Sequence, residues 1–190
     1  MYQKRNIELA IGGLYLSGYK KEFYLREISK RTKMPLKTTQ NAVAILEQNN
    51  ILKSTTVGKN KYFRLNLENL HTKFYLMQSE IYKTALFLNK FSIFKTFLKG
   101  VKTNDPIILF GSFAKFTADR DSDLDLLVII NEKKEIDYRK KGLLQLGKIN
   151  IIEKSKNEFE NEYLLAHDLI LNVLINGIVI FDGGFLQFFL

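Results

Sequence analysis

The sequence predicts a mixed chain, α+β / α/β in class. It should hold a small module of three helices and a β-hairpin, a long connecting helix, and a second module built on a mixed sheet. Three observations predict this. First, the charge is divided: residues 1–65 hold 13 Lys+Arg against 4 Asp+Glu, whereas residues 66–190 hold 16 of each. Second, apolar residues in the first third recur at helical spacing three times before two short β-rich runs. Third, residues 107–130 carry one apolar run into Gly111-Ser112 and start another from Asp123-Leu124-Asp125.

Composition bounds the classes. At 190 residues, with 46% apolar and 26% charged content, the chain suits one ordinary globular domain or two small ones. With no cysteine, disulfides, thiolate metal sites and a cysteine nucleophile are excluded. The first residues lack the apolar core of a secretory signal, and no apolar run approaches the ~18 residues that span a bilayer. A cytoplasmic location with no membrane partner is expected. The formal net charge of +9 lies wholly in residues 1–65. An excess placed in one module points to a polyanion as that module's partner.

Taken in order, Ile7, Ile11 and Leu14 predict a helix over residues 3–18. A second helix runs from Leu25 to Thr32 with Leu25 and Ile28 inward, and Met34-Pro35 marks a turn. The third runs from Leu36 to about Asn49, with Thr39, Val43 and Leu46 on its buried face. Ile51–Thr56 and Lys61–Leu65 read as strands around the turn Val57-Gly58-Lys59-Asn60. Asn66 can cap a helix over residues 67–98, where Leu70, Phe74, Met77, Ile81, Leu88, Phe91 and Leu98 recur at mostly three- or four-residue steps. That helix is too apolar for a bare linker, so it packs on the C-terminal module or pairs with its copy. Beyond Pro106, strands are expected at Ile107–Phe110, Leu124–Ile130, Ile149–Glu153 and Ile178–Phe181. A short helix fits Phe113–Ala118, its N-terminus opening at Gly111-Ser112. A charged stretch from Glu132 to Lys141 leads into a further helical segment. Ser155 and Glu158 form a capping box for a helix through about Val173, and Gly183-Gly184 releases an apolar tail, Phe185 to Leu190. The expected divisions are 1–66, 67–103 and 104–190.

The phrases Phe-Tyr-Leu-Arg-Glu-Ile-Ser-Lys-Arg-Thr, Ile-Leu-Glu-Gln-Asn-Asn-Ile-Leu-Lys and Gly-Lys-Asn-Lys-Tyr-Phe-Arg-Leu-Asn stand in an order that resembles the winged helix-turn-helix domain of transcriptional regulators. The likeness covers about the first third of the chain. It implies double-stranded DNA as partner, read by the third helix. With Val43 and Leu46 inward, Lys37, Thr38, Gln40, Asn41 and Ala44 form the outer face. Gln40 and Asn41 can pair with adenine, Lys37 suits phosphate, and Lys59, Lys61 and Arg64 on the hairpin add phosphate or minor-groove contacts. Because such readers often bind paired half-sites, a homodimer is expected.

Asp123 and Asp125, two apart on a strand, point to one face and can hold a hard divalent cation. An EF-hand counted from Asp119 would need glycine at 124 and glutamate at 130, where the chain has Leu124 and Ile130, so calcium sensing is rejected. No P-loop is present, and His71 and His167 stand alone as structural residues.

Gly-Ser, ten residues, then Asp-Leu-Asp between apolar runs resembles the DNA polymerase beta superfamily of nucleotidyltransferases, in particular its small minimal domains from bacteria and archaea. The likeness covers about residues 104–182. It implies Mg²⁺ or Mn²⁺ held by the catalytic pair Asp123 and Asp125, NTP phosphates at Gly111 and Ser112, and transfer of a nucleotide to a hydroxyl of a protein or small molecule. The superfamily normally adds a third carboxylate from a neighbouring strand. Here that position reads Asn150, with Glu153 as the alternative. Asparagine offers a carbonyl oxygen but no charge and no base. A domain that only senses nucleotide, or dimerises, is therefore the alternative to an enzyme. Such domains also resemble the antitoxin halves of two-protein toxin systems, which implies a toxin-like protein partner.

Overall fold

The structure is a computed structural model that describes residues 6–92, 94–95, 105–119, 121–130 and 148–181. The segment after Glu132 and the tail from Gly183 lie outside the described residues. The chain divides into two compact units, Met1–Lys83 and Thr84–Leu190.

In the first unit, α1 (Ile7–Tyr15) begins where the Asn6 side chain accepts the Leu9 N–H. It buries Ile11 and Tyr15, and the Tyr15 hydroxyl donates to the Phe63 carbonyl at 2.9 Å. Next come β1 (Phe23–Tyr24), α2 (Leu25–Thr32) and α3 (Leu36–Gln48). As the spacing predicts, α3 buries Thr39, Val43 and Leu46. Strands β2 (Leu52–Val57) and β3 (Asn60–Leu65) form the hairpin, with Gly58 at φ 60° supplying the left-handed turn. The sheet order is β1-β3-β2, all antiparallel. The pairing of β1 is invisible to pattern, because two residues carry no period.

Asn66 does not cap the connecting helix. Its N–H and side-chain amide donate to the Ile51 and Asn50 carbonyls, closing the hairpin's exit instead. The helix, α4 (Leu70–Lys90), opens after Asn69, whose side chain accepts the His71 N–H. Tyr75 and Leu76 of α4 enter the first unit's core, and the Tyr75 hydroxyl donates to the Glu8 carbonyl. Further along the same helix, Phe87 enters the second unit's core with Leu88 and Phe91 against it.

The second unit is built on a four-stranded mixed sheet. Its strands are β4 (Ile107–Phe110), β5 (Leu124–Ile130), β6 (Ile149–Ser155) and β7 (Ile178–Phe181), in spatial order β6-β5-β4-β7. β5 runs antiparallel to β4 and parallel to β6. One sheet face packs Leu124, Leu126 and Val128 with Phe87, Phe94 and Phe113. The other packs Leu127 and Ile129 with Phe159, Ile170 and Val173. These last belong to α6 (Lys156–Leu164) and α7 (Asp168–Asn176). The capping box at Ser155 and Glu158 forms as expected. The single helix expected through Val173 is broken, however, because Ala166 takes a left-handed φ of 54°. The short helix α5 also differs, occupying Gly111–Ala114 and ending at Phe116 with φ 61°.

Gly12 and Gly13 test the packing of α1 on α4. A Cβ on Gly12 would overlap the Ser79 hydroxyl and stand 2.7 Å from the Tyr75 ring, whereas one on Gly13 meets nothing within 4 Å. Gly12→Ala should lose about 1–3 kcal/mol in urea unfolding. Gly13→Ala should gain about 0.5–1 kcal/mol from helix propensity.

Candidate functional site

The candidate nucleotide site lies where β4 hands over to α5 beside β5 and β6. The antiparallel register sets Phe110 against Asp125, so the chain turns at Gly111 directly beside that carboxylate. Gly111 holds φ 71°, and any Cβ there would overlap Asp125 Oδ2. Two constraints thus select glycine: the left-handed backbone and the space that Asp125 takes. Ser112 follows, half-buried in the same turn.

On the other flank, the parallel register pairs Asp125 with Asn150. The Asn150 amide donates from Nδ2 to Asp125 Oδ1 at 3.1 Å. A carboxylate only accepts, so the NH₂ end of the amide must face it. Asp125 is half-buried, held by Asn150 at one oxygen and against Gly111 at the other. Asp123, just ahead of β5, is exposed. Glu153 pairs with Val128, whose side chain lies in the opposite face of the sheet from Leu127. Alternation therefore sends Glu153 away from Asp125, and no register shift in the β5–β6 ladder corrects it. Asp119 is committed elsewhere: its carboxylate accepts the Ser122 hydroxyl at 2.7 Å and the Asp121 N–H at 3.2 Å. Those bonds, the hydroxyl's foremost, hold its carboxyl below the usual range.

Among the described residues, no three of His, Cys, Asp and Glu gather as a metal cage. That donor set still fits Mg²⁺, which commonly takes one or two carboxylates and completes its shell with water and substrate phosphate oxygens. Asp123 and Asp125 are the residues that would hold it, and Asn150 is the residue that orients Asp125.

In the first unit, a groove of about 990 Å³ runs between α2, α3 and the hairpin. Gln40, Lys59 and Lys61 line it, as does Glu47, which sequence reasoning passed over. Glu47 accepts from Lys61 Nζ at 2.9 Å. Its place was legible, because residues 40, 44 and 47 share one helical face. Lys37, Thr38 and Asn41 are exposed on α3 outside the groove lining. Arg64 alternates to the other face of β3 from Lys61 and Phe63, and reaches Glu22 at 4.0 Å.

Residues 92–175 match the family model described as Nucleotidyltransferase domain. The matched span contains Gly111, Ser112, Asp123, Asp125 and Asn150. No curated protein matches the chain. Among solved structures, the chain is similar to TrmBL2, an archaeal chromatin protein reported to show a novel mode of DNA binding. The likeness covers 89% of this chain and 72% of that one, at 16% identity and a TM-score of 0.29. The residues matched by the family model lie within the second unit and take in β4, β5 and β6 of its sheet. No helix among the described residues is long and apolar enough to cross a membrane.

Gly111→Ala should displace Asp125 and strain the turn. A loss of roughly 1–3 kcal/mol in thermal or urea unfolding is expected, with Mg²⁺–NTP retention weakened in parallel.

Proposed function

We propose that the chain is a DNA-binding regulator carrying a nucleotidyltransferase domain. Asp123 and Asp125 hold the divalent metal of a Mg²⁺–NTP or Mn²⁺–NTP, and Gly111 and Ser112 lie beside its phosphates. The domain passes a nucleotide to a hydroxyl of a protein or small molecule: the hydroxyl oxygen bonds to the α-phosphorus and loses its proton, as the bond to the β-phosphate breaks and pyrophosphate leaves. The observation that supports this reading is Asp125 held between a glycine with no room for a side chain and the amide of Asn150. When bound, the metal neutralises phosphate charge and orients the reacting groups. The chain's own residues position Asp125 and leave Asp123 open to solvent. A base for the acceptor hydroxyl is lacking at Asn150, and Glu153 lies on the other sheet face, so turnover is slow. The same placement favours a second reading, in which the domain binds nucleotide without transferring it.

Labelled NTP with Mg²⁺ and candidate acceptors separates the two. With only two carboxylates, metal alone should give no shift in melting temperature, while Mg²⁺–NTP raises it. Asp123→Asn and Asp125→Asn should weaken that retention by at least roughly 10- to 100-fold, the scale seen even for residues that merely orient ligands. Label transfer that Asn150→Asp increases supports the enzyme. NTP retention with no transfer in either form supports the sensor, and retention unchanged in Asp125→Asn refutes the site.

The groove and its lysines support duplex DNA as the ligand of the first unit. If three to six phosphates are neutralised, affinity of the full chain should fall roughly 40- to 2,000-fold between ~50 and ~200 mM salt. Lys59→Ala should lower the salt slope by about one, whereas Gln40→Ala should relax base preference without changing the slope. Equal retention at both salt concentrations would overturn the DNA reading.

A further inference from the structure

One residue in the groove of the first unit has a charge that opposes its setting. Arg26, Gln40, Lys59 and Lys61 line the groove, and so does Glu47. Glu47 stands in the last turn of α3. A carboxylate there meets the negative end of the helix dipole, and a duplex brought to the groove adds phosphate charge. Its side chain is only 25% exposed, so water and salt screen it incompletely. Lys61 of β3 supplies the counter-charge, with Nζ 2.9 Å from Glu47 Oε2. The same ammonium lies 5.2 Å from the centroid of the Phe63 ring. Lys61 is thus held twice, on a strand whose register is fixed by its pairing with Thr56 of β2.

The cations of the groove are therefore not equivalent. Among the described residues, Arg26 and Lys59 pair with no carboxylate, and the left-handed Gly58 sets Lys59 at the tip of the hairpin. To meet a phosphate, Lys61 must leave Glu47. The exchange trades one anion for another and leaves the first, partly buried, without its partner and facing the phosphate, so it gains little. We propose that Glu47 is a specificity-determining residue of the groove, because it withholds Lys61 from the phosphate backbone. Sequence-independent attraction is then weaker than the number of cations implies, and base contacts such as those of Gln40 carry a larger share of binding. The inference rests on the reading of the groove as a duplex site.

Fluorescence anisotropy of the full chain with a labelled duplex of mixed sequence tests it. Glu47→Gln keeps the size and helix propensity of the side chain and removes its charge, so the fold is retained. Freed, Lys61 adds one phosphate contact, and the variant should bind more tightly than the wild type at ~50 mM salt. Between ~50 and ~200 mM its affinity should fall about 3.5-fold further than the wild type's, the change that one added contact makes. Adding Lys61→Gln to Glu47→Gln should return the salt slope to the wild-type value. Glu68→Gln is the control for net charge: it opens the Lys53–Glu68 pair, 2.6 Å long and outside the groove lining, and should leave the slope unchanged. A Glu47→Gln slope no steeper than the wild type's overturns the inference, while salt-dependent retention of the wild type keeps the DNA reading. An equal rise in Glu68→Gln overturns it by assigning the effect to net charge, as does a slope that stays steep when Lys61→Gln is added. Weaker binding by Glu47→Gln also overturns it and assigns the carboxylate to a base amino group. No retention of either form at ~50 mM salt overturns the DNA reading and the inference with it.

Discussion

The position of the Asp125 carboxylate constrains much of the second unit. Three backbone relations converge on it: the antiparallel register with β4, the parallel register with β6, and the left-handed turn at Gly111. A one-residue slip of β5 would send Asp125 into the face packed by Phe87 and Phe113, and would carry Leu124 and Leu126 out of it. Buried residues at 124, 126, 127, 128 and 129 therefore fix the register as firmly as the site does. Because both sheet faces are covered, the apolar runs are continuous, and Asp123 and Asp125 stand at the start of theirs.

The connecting helix obeys a different constraint. A single apolar run served two units and left a third surface over. Phe87, Leu88 and Phe91 are committed to the C-terminal core, and Tyr75 and Leu76 to the N-terminal one. Leu70, Phe74 and Ile81 are committed to neither. Their irregular spacing follows from this division, since the run is shared between two cores and solvent rather than given to one buried stripe.

The legible parts of the chain were those whose signal is local. Helices α2 and α3 and the four strands of the second unit stand close to where period and length place them. The Ser155–Glu158 box was readable because both partners lie within one turn. What escaped depended on distant partners. Strand β1 exists only because Phe23 and Tyr24 meet Phe63 and Tyr62 some forty residues on. Asn66 has the chemistry of a cap, but the Asn50 and Ile51 carbonyls claimed it first. At the site, strand spacing named Asp123 and Asp125, and the family resemblance added Gly111 and Asn150. Neither could show that Asn150 donates to Asp125, which needs the parallel pairing of β5 with β6.

That hydrogen bond bears on how the site is held before any ligand arrives. A third carboxylate at position 150 would set like charges about 3 Å apart in a half-buried pocket, and each would push the other toward protonation. Such a cluster is comfortable only with a cation among its oxygens. Asn150 removes the repulsion and replaces it with a charge-assisted hydrogen bond, so Asp125 keeps one orientation without metal. The exchange has a chemical consequence. The amide that steadies Asp125 cannot take a proton, and the neighbouring glutamate is turned through the sheet. On the proposed reading, an orientation preserved at the expense of a base favours recognition of a metal-bound triphosphate over rapid transfer from it.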